Sequence, residues 1–167
     1  MAYFPLNKNH IKPSHMGGSG ASKPTIMPAA PALKEGIATT SKKKLSECRV
    51  LVVDDNSDNA LLLSLYLKGK VKVIDISETG ADAIEKIKQA KYDIVLSDMR
   101  LDGVMTGLEV EKEAKKLSPA TLFVFVTGLD RDSFAKMFSG QDSSKLVIQK
   151  PIKKDELLGF LGKLCDS

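Results

Sequence analysis

Histidine, cysteine and tryptophan are scarce in this chain of 167 residues, which has two histidines, two cysteines and no tryptophan. His10 and His15 both lie near the N-terminus. The rest of the chain therefore has no histidine to serve as a general acid, in a Ser-His-Asp triad or as a phosphohistidine carrier. Cys48 and Cys165 match no metal-ligand spacing and no disulfide framework. We therefore expect a reduced, cytoplasmic protein.

Long apolar runs and nucleotide-binding loops are also absent. No apolar run approaches the ~18 residues needed to cross a bilayer. The N-terminus lacks the apolar core of a signal peptide. The pattern GxxxxGK[ST] of nucleotide hydrolases does not occur. We therefore expect no membrane segment in this chain and no P-loop chemistry.

The net charge of +4 is unevenly distributed. Residues 1–49 carry eight basic and two acidic side chains, a balance of +6. Residues 50–167 carry 17 basic and 19 acidic side chains, a balance of −2. A mildly acidic folded part argues against nucleic acid as a partner of this domain. For the basic segment, a solvated linker is favoured over a contact with an acidic partner.

The composition changes near residue 45. Residues 1–44 contain five prolines, a GGSG run at 17–20 and no sustained apolar period, so they cannot bury enough surface to offset their ordering entropy. We predict a disordered tail or interdomain linker over residues 1–46 and one folded domain over residues 47–167. Within residues 1–20, the stretch SHMGGSG resembles a linker added by cloning and is excluded from fold prediction.

From residue 49 onward, strand-like and helix-like patterns alternate. Short apolar runs such as RVLVV and LFVFV are typical of strands buried on both faces. Strict alternation predicts an α/β fold with a five-stranded parallel sheet and helices on both faces. The predicted strands are 49–53, 71–76, 92–97, 122–126 and 146–148. The predicted helices are 58–68, with Asp58 as its cap, 81–90, 108–117, 131–138 and 154–164.

Polar residues lie within two positions of the end of four of these strands. Asp54 and Asp55 follow the first, Asp98 the third, Thr127 the fourth and Lys150 the fifth. Ligands of open parallel sheets bind outside the carboxyl ends of the strands, so we expect these side chains to converge on one edge. Taken singly, each has a structural explanation as a turn acid, a helix cap or an exposed lysine.

Taken together, these residues predict a metal site and phosphoryl chemistry. Three close carboxylates raise one another's pKa unless a cation compensates. Mg²⁺ suits a site with few protein carboxylates and several waters. Metal and Lys150 would neutralise the phosphoryl oxygens, Thr127 would donate to one of them, and one aspartate would serve as nucleophile.

The ordered motifs VVDDN, LSDMRL, VFVTG and IQKP resemble those of the CheY-like receiver domain of two-component response regulators. The resemblance covers roughly residues 47–166, and it implies a doubly wound, flavodoxin-like sheet with strand order 2-1-3-4-5. It implies that Asp98 accepts a phosphoryl group from a histidine kinase or a histidine phosphotransfer protein. Thr127 and Lys150 would contact the acyl phosphate, and the small Gly128 would leave it accessible.

The resemblance also implies a magnesium site and a mode of action. Asp54, Asp55, Asp98 and the backbone carbonyl of Arg100 would hold Mg²⁺. The domain would catalyse its own phosphorylation and slow autodephosphorylation, with no separate substrate turnover. It would then signal to an unknown downstream protein by a conformational change.

Three positions depart from the family pattern. Val147 stands where many members have the Tyr or Phe that rotates inward on phosphorylation, and Asp102 stands where many have proline. The loop from Asp98 to Gly107 is one residue longer than usual. Arg100 and Leu129 occupy the positions that flank the phosphate. These changes affect loop shape and switching, while the acceptor position is intact.

The same residues exclude two rival functions. DDNSD lacks the glycine- and hydroxyl-rich loop of a flavin binder and the DxD spacing of a haloacid dehalogenase phosphatase. The alternative from another class is a degenerate receiver that serves only as a phosphorylation-independent interaction module. Because the chain ends at Ser167, directly after the last predicted helix, we expect either a stand-alone receiver or part of a hybrid histidine kinase.

Overall fold

The computed structural model describes residues 43–130, 133 and 145–165, and within these residues it gives five strands and four helices. A 3-10 turn at Leu45–Glu47 precedes them. The strands are β1 (Arg49–Val53), β2 (Val73–Ser77), β3 (Ile94–Asp98), β4 (Leu122–Thr127) and β5 (Leu146–Gln149). The helices are α1 (Ser57–Leu67), α2 (Gly80–Gln89), α3 (Gly107–Leu117) and α4 (Lys154–Cys165). Most of the predicted helix 131–138, like the predicted tail up to residue 42, lies outside the described residues.

All five strands run parallel in one sheet, in the order β2-β1-β3-β4-β5. This confirms the predicted architecture and strand order. Chain order and spatial order differ at β1, which lies between β2 and β3. Val53 at the end of β1 is level with Ser97 of β3, so the residues that follow both positions share the carboxyl edge of the sheet.

Alternate side chains of the strands enter two separate apolar layers, because successive residues of a strand point to opposite faces. Leu51 and Val53 belong to the layer that contains residues of α2 and α3. Val50 and Val52 belong to the layer that contains residues of α1 and α4. All four are fully buried. Helices on both faces therefore explain why the central strands are apolar without interruption.

The prediction that Asp58 caps α1 is wrong. The helix begins one residue earlier than predicted, and Asn56 is its N-cap. The Asn56 side chain accepts hydrogen bonds from the backbone N–H groups of Asp58 and Asn59, at 3.0 and 3.1 Å. All five residues of DDNSD are of the types that cap helices, so propensity alone did not select among them.

Several strand ends also differ from the prediction. Strand β2 begins at Val73 rather than at residue 71, and just before it the N–H of Lys72 donates to the carbonyl of Cys48. Strands β3 and β4 extend one residue further and include Asp98 and Thr127. Asp98 is thus the last residue of a strand rather than the first residue of a turn. Within the described ranges, no helix is long and apolar enough to cross a membrane.

Candidate functional site

Three carboxylates meet at the carboxyl edge of the sheet, as predicted. Asp54 and Asp55 follow β1, and Asp98 ends the neighbouring strand β3. Each contributes one carboxylate oxygen to a group in which all the oxygens lie within 4.8 Å of one another. The register of two adjacent parallel strands therefore brings together acids that are more than 40 residues apart in sequence.

Asp54 is the buried member of the group, with 1% of its side chain exposed. Its Oδ1 accepts from the N–H of Asn56 at 3.0 Å and from Nδ2 of Asn59 at 3.3 Å. Its Oδ2 is 3.0 Å from Nζ of Lys150. These three donors satisfy a carboxylate that would otherwise be costly to bury.

The sequence reasoning missed Asn56 and Asn59 as residues of the site. Asn56 lies in the motif VVDDN and Asn59 in the first turn of α1, and an asparagine so close in sequence to a buried acid could have indicated them. Asn56 has two roles, because its side chain caps α1 while its N–H holds Asp54. The start of the helix and the orientation of the carboxylate are therefore fixed together.

Asp98 faces the opening of the site, with 15% of its side chain exposed. Its Oδ1 accepts from the N–H of Arg100 at 3.0 Å. Its Oδ2 is 2.5 Å from Nζ of Lys150. Arg100 is exposed and contacts the acid through its backbone nitrogen. Asp98 is thus held in place while remaining accessible to small molecules.

Lys150 joins the two carboxylates across the sheet. It directly follows β5, and its N–H donates to the carbonyl of Thr127 at 2.7 Å. Burial lowers the pKa of Lys150, but hydrogen bonds and charge attraction from Asp98 and Asp54 outweigh it and leave the pKa above its usual value. The ammonium is therefore fully charged near neutral pH.

Thr127 lies next to the site. It is buried, and its Oγ1 accepts from the N–H of Leu129 at 3.1 Å. Among the described residues, its hydroxyl makes no hydrogen bond to a carboxylate. The structure thus brings Asp54, Asp98 and Lys150 into direct contact, with Thr127 beside them. A Cβ added at Gly128 would meet no atom within 4 Å, so this side of the site is open.

Gly107 is a further residue of the site that the sequence reasoning did not identify. It begins α3, and its N–H donates to the carbonyl of Met99 at 3.1 Å. A Cβ at this position would lie 2.1 Å from the carbonyl oxygen of Asp98. Only glycine lets the helix start so close to the strand that ends in Asp98.

The conformation of the long loop between β3 and α3 is set by residues within the loop and at the start of α3. Gly103 has φ of +131°, a conformation that side chains with a Cβ rarely adopt. Thr106 caps α3 and forms a capping box with Glu109. Asp102 is exposed in this loop. At the other unusual position, Val147 is partly buried and packs against the apolar layer of α2 and α3.

The donor set of this site suits a small, hard cation. Three carboxylates and one ammonium leave two negative charges, which a divalent ion would neutralise. Oxygen ligands, few in number and open to solvent on one side, match the preference of Mg²⁺ for carboxylates combined with waters. Asp54, Asp55 and Asp98 are the residues that would hold the ion.

Two curated sensor proteins match this chain in sequence. The sensor kinase/phosphatase LuxQ of Vibrio vulnificus is 28% identical over 109 residues, which are 65% of this chain and 13% of LuxQ. The aerobic respiration control sensor ArcB of Escherichia coli is 28% identical over 127 residues, 74% of this chain and 16% of ArcB. The chain therefore spans less than a fifth of these curated relatives.

A solved structure with the same fold is the receiver domain of the sensor histidine kinase PA1611 from Pseudomonas aeruginosa, which has a magnesium ion in its active-site cleft. It matches with a TM-score of 0.60 at 22% identity, over 72% of this chain and 99% of that one. The family model of the response regulator receiver domain matches residues 50–161. The chain therefore belongs to the response regulator receiver domain family of two-component signalling.

Proposed function

We propose that this domain accepts a phosphoryl group on Asp98 from a phosphohistidine of a histidine kinase or phosphotransfer protein. One observation carries the proposal: an accessible carboxylate shares the Lys150 ammonium with a buried carboxylate, Asp54. The buried acid contributes negative charge for a cation, and the accessible one offers an oxygen to an incoming group. This division of roles suits a nucleophile beside a metal site.

The transfer step uses the groups described above. An Oδ atom of Asp98 forms a bond to phosphorus while the bond from phosphorus to the imidazole nitrogen of the donor breaks. The imidazole keeps the electron pair of that bond and takes a proton. Lys150 is already within hydrogen-bond distance of Asp98, so its ammonium offsets charge on the phosphoryl oxygens. Thr127 supplies a hydroxyl at the same edge of the sheet.

We propose that Asp54, Asp55, Asp98 and the backbone carbonyl of Arg100 hold Mg²⁺. When bound, the ion would offset the charge on the phosphoryl group as it moves between donor and acceptor. The hydrogen bonds from Asn56 and Asn59 keep Asp54 in its orientation, so that one ligand is preorganised before the ion binds.

The donor has to come from outside the folded domain, because residues 16–167 contain no histidine. Helix α1 offers a surface for it. The helix begins directly after the motif that holds Asp54 and Asp55, and Leu61, Leu62 and Leu65 are 53%, 43% and 52% exposed on it. We propose that a partner helix carrying the phosphohistidine packs on these leucines, beside Asp98.

The place of the domain in its protein is also a proposal. Matches to LuxQ and ArcB, both sensor proteins of much greater length, support a receiver that works next to a kinase. We propose that residues 1–46 act as the linker to such a neighbour and that the protein functions in the cytoplasm. We also propose that the signal leaves through the face formed by residues 131–138, β5 and α4; most of residues 131–138 lie outside the described part of the chain.

Incubation with Mg²⁺ and acetyl phosphate, followed by intact mass measurement, tests the function. We expect an adduct of about 80 Da on the wild type and none on Asp98→Asn. Asp102→Asn is the matched control, since this acid is exposed in the neighbouring loop, and we expect it to keep the adduct. Absence of the adduct on the wild type would leave a phosphorylation-independent interaction module as the function.

A further inference from the structure

The two cysteines of the chain meet in the folded domain, although they are 117 residues apart and their spacing gave no sign of it. Cys48 directly precedes β1, and Cys165 is the last residue of α4. Both are buried, at 2% and 8% exposure. Their Sγ atoms are 3.4 Å apart, within hydrogen-bond distance for sulfur. The two thiols therefore bring the start and the end of the domain into contact.

The thiol pair lies at the amino edge of the sheet, opposite the carboxylate site. Both cysteines line a cavity of about 910 Å³, together with Ile94 and Leu122, the first residues of β3 and β4. Cys48 Sγ also contacts the carbonyl of Lys44 at 3.4 Å. A small solute in the cavity would therefore reach the sulfur atoms without passing through the Asp98 site.

We propose that Cys48 and Cys165 are a site of oxidative modification and form an intramolecular disulfide when the protein meets a peroxide. One thiolate attacks the peroxide O–O bond, giving a sulfenic acid and releasing hydroxide. The second thiol then displaces the sulfenic oxygen as water, and the S–S bond forms. Overall, two thiols lose two electrons and two protons, and one hydrogen peroxide becomes two waters.

The geometry requires only a small movement for this bond to form. A disulfide has a sulfur–sulfur distance of about 2.05 Å, so the two sulfur atoms have to approach by about 1.4 Å from their present 3.4 Å. Cys165 lies at the last turn of a helix and Cys48 between a 3-10 turn and a strand. The ends of helices and strands adjust more readily than the centre of a sheet.

The oxidation is expected to be slow. Burial, helped by the neighbouring Cys165, raises the pKa of the Cys48 thiol to about 12, so little thiolate exists near neutral pH. Asp93 also raises this pKa, whereas Lys43 lowers it. The pair therefore stays reduced during brief exposure to peroxide. Under sustained oxidation it forms a stabilising cross-link and does not respond as a fast sensor would.

The disulfide would stabilise the whole domain against unfolding. It closes a loop of 117 residues, which contains all five strands, and a cross-link of that span strongly restricts the unfolded chain. We expect the melting temperature to rise by roughly 10 °C on oxidation. Because Asp98 lies at the opposite edge of the sheet, we expect phosphoryl acceptance to be retained in the oxidised form.

Intact mass and thiol titration on the full chain, after prolonged exposure to hydrogen peroxide, test the proposal. We expect no free thiol in denaturant and a gain of about 2 Da when a thiol reductant reverses the cross-link, whatever oxygen the six methionines have taken up. As the chain has only two cysteines, loss of both thiols in a monomer, with both recovered by reductant, assigns the bond without any variant. Cys48→Ser and Cys165→Ser should each lose the 2 Da change and the rise in melting temperature. Two titratable thiols after exposure, or oxygen adducts without a cross-link, would overturn the proposal.

Discussion

Replacing Lys150 with methionine removes the only charge that compensates the site carboxylates among the described contacts. Its Nζ lies 3.0 Å from Asp54 and 2.5 Å from Asp98, and 24% of its side chain is exposed. Methionine keeps most of the apolar stem but leaves three negative charges together. We therefore expect Lys150→Met to lose stability without metal and to bind Mg²⁺ more tightly than the wild type.

The loss of stability is estimated from the burial of the ion pair, and the gain in Mg²⁺ affinity from the repulsion between two charges. Removing one partner of a buried ion pair costs about 3–5 kcal/mol. Because Lys150 is about a quarter exposed and Asp98 opens to solvent, we expect about 2–3 kcal/mol in EDTA. A divalent ion about 5 Å from a single positive charge is repelled by roughly 1.7 kcal/mol even at the dielectric constant of water, so affinity should rise about tenfold or more.

Urea unfolding in EDTA and at a fixed, high Mg²⁺ concentration measures the first effect, and titration calorimetry measures the second. A tenfold gain in affinity returns about 1.4 kcal/mol more stability to the variant than to the wild type. Lys153→Met is the control, because this exposed lysine is 3.9 Å from Glu156 and far less buried. A Lys150→Met variant that is as stable as the wild type in EDTA, or that binds Mg²⁺ more weakly, would refute the reasoning.

Three further changes test other parts of the structure. Gly107→Ala should lower the free energy of unfolding by more than about 3 kcal/mol in urea, since its Cβ would lie 2.1 Å from the backbone oxygen of Asp98. The control, Gly159→Ala, lies in open space within α4 and should stabilise by about 0.5–1 kcal/mol. Equal effects of the two changes would contradict the close approach at Gly107. Burial and a hydrogen bond to Asp75 raise the pKa of Tyr92 from 10.0 to about 12, so its contribution is fully present below pH 10 and is lost as pH rises toward 12. Tyr92→Phe should therefore lose less stability than the wild type over that window, by at most about 2–3 kcal/mol, and parallel pH curves would argue against the shift. Leu65→Glu should slow phosphoryl transfer from a phosphohistidine partner about tenfold while leaving acetyl phosphate labelling unchanged, and equal slowing of both would exclude a docking role.

The central strands were predictable because their sequences are compatible with only one environment, a sheet that is covered on both faces. Runs such as Val50–Val53 can be apolar throughout only if both faces are covered, and the alternation with helical segments then requires a parallel sheet. The positions of Asp54 and Asp98 followed from that sheet, because residues after neighbouring parallel strands share one edge. The convergence of the carboxylates was therefore accessible from the sequence.

Other features depend on contacts that no local pattern encodes. The N-cap of α1 is Asn56 rather than Asp58 because the chain turns earlier to bring a backbone N–H onto Asp54. Gly107 is required by the distance between a helix start and a neighbouring strand end, which sequence spacing does not reveal. Cys48 and Cys165 meet only because the last helix packs beside the start of β1. These features arise from tertiary packing.

The central claim, that Asp98 carries the phosphoryl group, is tested most directly by locating the modification. Protein incubated with Mg²⁺ and acetyl phosphate is reduced with borohydride, which converts an aspartyl phosphate to homoserine, and the peptides are then sequenced by tandem mass spectrometry. The account predicts homoserine at position 98, with Asp54 and Asp55 unchanged. Homoserine at either of those two positions, or at none of the three, would contradict it.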